Sequence, residues 1–115
     1  MVDMKQEHLL QQQIIQYLHM FNIFVFETDV MDGLKFLNTE KQRLAFINYH
    51  KQLGYVKGQP DLVAVMNGKV VFIELKTDKG RQSKEQKEVE QEIKNRGVDY
   101  IIIKSLEDLQ NYLKK

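Results

Sequence analysis

The hydrophobic positions along the chain change from helical spacing to short apolar runs and back, and each change marks a predicted element. Apolar residues at helical spacing predict a helix over about Asp3–Phe21. The apolar run Ile23–Phe26 that follows predicts a short strand. Thr39 and Gln42 have the spacing of a capping box, so we expect a second helix to begin there and to run through Leu53.

The second half of the chain contains a predicted hairpin followed by a helix, a strand and a helix. The strand-like runs Leu62–Met66 and Val70–Leu75 flank Asn67-Gly68, a dipeptide typical of two-residue hairpin turns. The later predicted elements are a helix from the capping box Ser83-x-x-Gln86 to about Arg96, a buried strand over Asp99–Lys104, and a helix from Ser105 through Leu113. The order α-β-α-β-β-α-β-α predicts an α/β fold with a mixed β-sheet flanked by helices.

The length and composition narrow the class of protein. With 115 residues, 43% of them hydrophobic and 29% charged, we expect one globular domain spanning residues 1–115. No apolar run reaches the roughly 20 residues that cross a membrane, and the polar, Gln-rich start lacks a signal-peptide core. The absence of cysteine excludes disulfides and thiolate metal sites. We therefore expect a cytoplasmic protein with no membrane partner.

The hairpin turn predicts that two carboxylates lie opposite each other. With Asn67 and Gly68 at the centre of a type I′ turn, Asp61 faces Glu74, and Lys76 follows on the same side. The predicted face comprises Asp61, Val63, Val65, Val70, Phe72, Glu74 and Lys76, and its apolar members predict that it is buried. Two facing carboxylates repel unless a cation offsets them, which favours a divalent ion with hard oxygen ligands. In the alternative, both point into water at a frayed hairpin end, bridged by Lys76.

Two residues outside the hairpin are candidates to complete this site. Glu7 falls within the apolar stripe of the first helix, where a carboxylate is unfavourable unless it is paired or bound to metal. An acidic residue in a first turn also favours the helix dipole, which is the alternative for Glu7. Gln86 serves as a capping-box partner, yet it shares a helix face with Val89 and Ile93 and therefore points toward the sheet.

Positive charge is concentrated just after the second hairpin strand. Lysines and an arginine outnumber acidic residues between Lys76 and Lys87, although the net charge of the chain is only +1. Such a segment suits a phosphate-rich partner, although a run of charges is more often just a solvated surface.

The motifs, taken in order, resemble the signature of the PD-(D/E)XK nucleases. Gly58-Gln59-Pro60-Asp61 precedes the hairpin, Glu74-Leu75-Lys76 supplies the E-x-K element, and Ser83-x-x-Gln86 follows. Together with an acidic residue in the first helix, they resemble the VRR-NUC (virus-type replication-repair nuclease) branch, in its small stand-alone phage and bacterial form. The resemblance extends from Glu7 to about Ser105, while residues 30–53 match no motif.

The resemblance implies a restriction-endonuclease-like core and a metal-dependent DNA endonuclease. It assigns Mg²⁺ or Mn²⁺ to Glu7, Asp61, Glu74 and the backbone carbonyl of Leu75, with Asp61, Glu74, the catalytic Lys76 and a supporting Gln86 at the active site. It further implies a homodimer acting on branched DNA such as Holliday junctions. The basic residues expected to contact phosphates are Lys57, Lys79, Arg81 and Lys84.

The helix after Thr39 has more apolar residues than one covering face requires. They are Leu44, Phe46, Ile47, Tyr49 and Leu53, and we predict that this helix contributes to the dimer interface. Two other functions stay open: a catalytically silent DNA-binding or scaffold module on the same fold, and a protein whose acidic cluster binds metal only for stability. Intact Asp61, Glu74 and Lys76 favour the enzyme.

Overall fold

A computed structural model describes residues 4–28, 31–77 and 79–114 of the chain. The elements are α1 (Met4–Met20), β1 (Phe24–Glu27), a 3₁₀ helix (Met31–Phe36), α2 (Glu40–Gln52), β2 (Leu62–Met66), β3 (Lys69–Leu75), α3 (Lys84–Asn95), β4 (Asp99–Ile103) and α4 (Leu106–Leu113). This order of helices and strands is the predicted one, and the 3₁₀ helix occupies a stretch that fitted no pattern. Within the described residues, no helix combines the length and the apolar character that crossing a membrane requires.

The four strands form one mixed sheet in the order β1-β2-β3-β4. The first three strands are antiparallel to their neighbours, and β4 is parallel to β3. Because parallel neighbours need a crossover connection, α3 links β3 to β4 across one face of the sheet. The ends of β3 and β4 therefore lie side by side, with Leu75 beside Ile103.

The main core lies on the face of the sheet covered by α1 and α4. Its residues are Ile14 and Leu18 from α1, Leu109 from α4, and Val25, Leu62, Ala64, Val71, Ile73, Leu75 and Ile103 from the strands. Alternate strand residues share a face, so the side chains of Val63, Phe72 and Glu74 lie on the opposite side. That opposite side is the one predicted to carry the chemistry.

The opposite face is covered along only half of its width, which corrects the prediction that it is buried throughout. Val63 is buried, but Val65 and Val70 are each 38% exposed. Phe24 and Phe26 of β1 are exposed beside them. Four strands span roughly 19 Å, whereas one helix covers about 10 Å, and α3 is the helix that packs here, against β4. We call Phe24, Phe26, Val65 and Val70 the open half-face.

The hairpin has the predicted register but a different turn. Val65 pairs with Val70, Val63 with Phe72 and Leu62 with Ile73. Gly68 has a φ of 69°, but among the described residues Asn22 is the one non-glycine with positive φ, so Asn67 does not adopt the type I′ conformation. A positive φ at the second central residue alone is what a type II turn requires, and glycine supplies it.

Helix α2 is held less closely than the other helices. Its capping box forms as predicted between Thr39 and Gln42. The element it contacts is the 3₁₀ helix, and none of its residues is buried. Leu44, Tyr49 and Leu53 are largely exposed. Several of the extra apolar side chains of this helix are therefore exposed to solvent.

Candidate functional site

The loop before β2 reaches the site because Gly58 has no side chain. Gly58 has a φ of 92°, and a Cβ built on it would lie 2.5 Å from the backbone carbon of Glu85 and 2.7 Å from the nitrogen of Gln86. Any other residue would collide with the first turn of α3. The glycine of the Gly-x-Pro-Asp motif thus lets this loop and α3 meet directly.

Thr28, which no sequence motif marked, fastens the same loop to the end of β1. Gln59 donates from Nε2 to the carbonyl of Thr28 at 2.7 Å. The Thr28 hydroxyl donates to the carbonyl of Pro60, and the Thr28 N–H donates to the carbonyl of Asp61 at 2.9 Å. These three bonds hold the end of β1 to the backbone from Gln59 to Asp61.

Asp61 lies just before β2, whose first paired residue, Leu62, faces Ile73 of β3. The N–H of Asp61 donates to the carbonyl of Ile73 at 3.1 Å, and its Oδ2 accepts the N–H of Leu75 at 2.7 Å. These two bonds hold Asp61 to the residues on either side of Glu74 instead of continuing the strand pairing by one residue. The carboxylate is half-buried and fixed against the backbone of β3.

Glu74 is fully buried, and its two oxygens have different surroundings. Oε1 accepts a hydrogen bond of 2.5 Å from the Tyr100 hydroxyl. Oε2 is buried and has no hydrogen-bond partner among the described residues. Burial raises the pKa of Glu74, and the Tyr100 hydroxyl, the positive charge of Lys76 and the Gln82 amide oppose that rise only partly. A buried carboxylate with one bare oxygen is a place where a cation fits.

Lys76 follows Glu74 by two residues, immediately beyond the end of β3. Its N–H donates to the carbonyl of Ile103 at 3.0 Å, which holds its backbone to β4. A Cβ at Gly80 would lie 3.3 Å from Cδ of Lys76, so the lysine side chain runs close beside the loop that precedes α3. Strand and loop together restrict where the ammonium group can lie.

Three residues near Glu74 belong to none of the sequence motifs: Tyr100, Gln82 and Glu90. Tyr100 was predicted only as part of a buried strand. Gln82 donates from Nε2 to Oε1 of Glu90 at 3.0 Å, and Glu90 also pairs with Lys94 at 2.7 Å. Gln82 sits in the loop directly before the Ser83 cap, and nothing in its local pattern distinguishes it from any other polar loop residue.

Gln86 performs the capping role that was its simpler interpretation. Its Oε1 accepts the N–H of Ser83 at 2.8 Å, while its own N–H donates to the Ser83 hydroxyl at 3.1 Å. The backbone of Gln86 is also one of the groups against which Gly58 packs. Gln86 therefore fixes the start of α3 at the point where the Asp61 loop touches it.

Glu7 lies at the same end of the sheet as Glu74 but does not join it in a cluster. Leu18 lies at the start of β1, and Gln11 donates to Oε2 of Glu27 at the far end, so α1 runs antiparallel to β1. Glu7 is half-buried one turn before Gln11. Across the parts of the chain that the structure describes, no three histidine, aspartate or glutamate side chains are grouped for metal binding.

The four predicted phosphate contacts are all exposed, and they border the first turn of α3. Lys79 and Arg81 lie in the loop between β3 and α3, and Lys84 is the first residue of the helix. Lys57, beside Gly58, forms a long ion pair of 3.7 Å with Glu85. Exposed pairs of this kind are weak, so Lys57 can exchange its partner for a phosphate.

The comparison with known proteins identifies the fold. A solved structure described as a VRR-NUC domain matches with a TM-score of 0.66 and 16% sequence identity, and the match covers 95% of this chain and 95% of that one. No protein-family model matches the sequence, and no curated protein matches it. The chain therefore has a VRR-NUC fold, the restriction-endonuclease-like α/β architecture that its motifs predicted.

Proposed function

We propose that this protein is a divalent-metal-dependent DNA endonuclease. The observation that carries the proposal is the buried Glu74, whose Oε2 has no hydrogen-bond partner among the described residues. Asp61 is bonded to the backbone of the next residue, Leu75, and Lys76 follows. The VRR-NUC fold supports the same conclusion, because it puts this hairpin in the architecture of a nuclease domain. In a merely structural site, we would expect the buried oxygen to be paired.

The proposed ligands of the metal ion, Mg²⁺ or Mn²⁺, are Asp61, Glu74 and the backbone carbonyl of Leu75. Glu7, which is not grouped with them among the described residues, would join them only when the ion binds. Bound there, such an ion would polarise the scissile phosphate and acidify a water molecule. Lys76 would orient the attacking water and offset the negative charge that develops on the phosphate. Gln86 would support the site by holding the first turn of α3, on which the Asp61 loop rests.

We further propose that the substrate is branched DNA, such as a Holliday junction. The exposed Lys57, Lys79, Arg81 and Lys84 surround the approach to the site from the side of α3. They would contact phosphates, which gives affinity and salt dependence without reading sequence.

A homodimer is proposed from the surface that the chain leaves uncovered. Large apolar side chains are exposed on α2 and on the open half-face. Helix α2 with Leu44, Tyr49 and Leu53 would supply one part of that interface, and the open half-face would supply another.

The dimer is tested by solution mass. The wild-type chain should sediment as a dimer at micromolar concentration. The variant Leu44→Glu/Tyr49→Glu should be a folded monomer, because both positions are exposed in the single chain. A wild-type monomer, with or without bound junction DNA, would overturn the dimer and leave the proposed metal site standing.

The nuclease is tested by cleavage of labelled junction, flap, duplex and single-stranded DNA with Mg²⁺ or Mn²⁺. We expect cutting of branched DNA that a chelator stops and that Lys76→Ala abolishes, with DNA binding retained. Lys69→Ala is the matched control, because Lys69 lies at the opposite end of β3. Wild-type protein that binds junctions and cuts none of these DNAs would identify a silent binding module instead.

A further inference from the structure

The Tyr100 hydroxyl contacts one oxygen of Glu74 and leaves the other bare. We propose that Tyr100 is a positioning residue: by holding Oε1 of Glu74, it turns Oε2 toward the cation of the site. This inference rests on the metal site of the proposed function, and it gives a role to a residue that belongs to none of the sequence motifs.

The strand register explains how Tyr100 reaches Glu74. In the parallel pair of β3 and β4, Phe72 lies beside Tyr100 and Glu74 beside Ile102. Tyr100 is thus two residues back along the neighbouring strand and on the same face as Glu74. A tyrosine side chain spans that diagonal, and its hydroxyl meets Oε1 at 2.5 Å.

Tyr100 is suited to fixing the carboxylate because it cannot easily move. It is only 4% exposed, and it lies in a strand that pairs along its whole length with β3. Glu74 itself is fully buried. Its two carboxylate oxygens are chemically equivalent, so the bond from Tyr100 fixes the plane of the group and leaves one oxygen without a bond.

The chemistry of the donor also matters. A phenol donates a hydrogen bond without carrying a charge, whereas a lysine or arginine in its place would neutralise Glu74 and compete with a metal ion. Tyr100 therefore orders the ligand and leaves its negative charge available. Groups that orient metal ligands in this way typically change metal affinity by about 10- to 100-fold when they are removed.

The experiment compares Tyr100→Phe with a matched variant, Tyr112→Phe. Tyr112 of α4 donates to Oδ2 of Asp99 in β4 at the same distance of 2.5 Å, away from Glu74. Mn²⁺ binding to each full-length protein is measured by the electron paramagnetic resonance signal of free Mn²⁺. We expect the Kd to rise about 10- to 100-fold in Tyr100→Phe and to change less than twofold in Tyr112→Phe.

Each outcome decides a separate question. Unchanged Mn²⁺ affinity in a folded Tyr100→Phe protein overturns the positioning role and leaves the metal site intact. Absence of Mn²⁺ binding by the wild-type protein overturns the metal site and the positioning role together. Wild-type protein that binds Mn²⁺ but cuts no DNA contradicts the nuclease alone.

A measurement on the wild-type protein covers the case in which Tyr100→Phe does not fold. Infrared difference spectra on adding Mn²⁺, assigned with Glu74→Gln, report how the Glu74 carboxylate binds. A wide separation of its two stretching bands, typical of coordination through one oxygen, is the expected result. A narrow separation, typical of both oxygens on the ion, would contradict a carboxylate whose Oε1 is held by Tyr100.

Discussion

The two ends of the sheet each contain a tyrosine bonded to a carboxylate, and the two pairs differ in one respect. At the site end Tyr100 donates to Glu74, and at the hairpin-turn end Tyr112 donates to Asp99, both at 2.5 Å. Asp99 also has the ammonium of Lys69 at 3.0 Å. Glu74 is buried, and its second oxygen has no partner among the described residues.

Because of this difference, the pKa values of the two carboxyl groups shift in opposite directions. Hydrogen bonds from Tyr112 and Lys69 lower the pKa of Asp99, whereas burial raises the pKa of Glu74. The turn end is a self-contained cluster that holds α4 to the strands. The site end has the same tyrosine bond, but no described lysine or arginine pairs with its free oxygen. This difference is why we propose Glu74, and not Asp99, as a metal ligand.

The largest expected effect comes from neutralising Glu74, and the same change at Asp99 is the comparison. Glu74→Gln should lower the rate of DNA cleavage by roughly 10³-fold, since it removes the charge that holds the metal at the reacting phosphate. Asp99→Asn should change that rate less than twofold. The measurement is single-turnover cleavage of a junction at saturating enzyme. Equal losses in the two variants would mean that the two ends do not differ in function.

The two ends also differ at their left-handed glycines. Gly58→Ala should destabilise the fold by about 3 kcal/mol or more, because the positive φ and the overlap with the backbone of α3 both act against a Cβ. Gly68→Ala has a positive φ but no atom within 4 Å, so it should lose only about 1–2 kcal/mol. Urea unfolding of both variants checks the difference, and similar losses would contradict the close approach of the Asp61 loop to α3.

Local patterns predicted most of the helices and strands and part of the site. The capping boxes at Thr39 and Ser83 and the Asn67-Gly68 turn each fix structure over a few residues, so the elements and the hairpin register follow from them. Continued by one residue, that register predicts Asp61 across from Glu74, whereas in the structure Asp61 bonds to Ile73 and Leu75 on either side of it. Metal binding by these residues and by Glu7 stays a prediction.

What the sequence did not predict depends on pairing between distant segments. Tyr100 reaches Glu74 only because β4 pairs with β3 in one particular register. The two strands are joined through α3, so no local sequence pattern specifies that register. The half-covered face also depends on how distant segments pack. Alternating apolar residues show that a strand face can be buried, but not how many helices are available to cover it.

Metal addition should stabilise the protein through the site end alone. Mn²⁺ at about 100 times its Kd should add about 2.7 kcal/mol to the free energy of unfolding, which corresponds to a rise of roughly 10 °C in Tm. Glu74→Gln should abolish the rise, and Asp99→Asn should keep it. Thermal unfolding with chelator and with Mn²⁺ provides the test. A protein that unfolds at room temperature in chelator would instead favour a metal that serves stability.

The smallest expected effect is an opposite dependence of stability on pH at the two ends, measured without metal. Because the folded state raises the pKa of Glu74 above its ordinary 4.5, its contribution is fully present below pH 4.5 and is lost as pH rises through the folded pKa. The pKa of Asp99 is lowered from 3.8, so its contribution is present above pH 3.8 and is lost as pH falls through the folded pKa. Urea unfolding from pH 3 to pH 8 should therefore show that Glu74→Gln removes a decline above pH 4.5, while Asp99→Asn removes a decline on the acid side. If Glu74→Gln declined above pH 4.5 as steeply as the wild type, Glu74 would not be the buried, uncompensated carboxylate on which the contrast between the two ends depends.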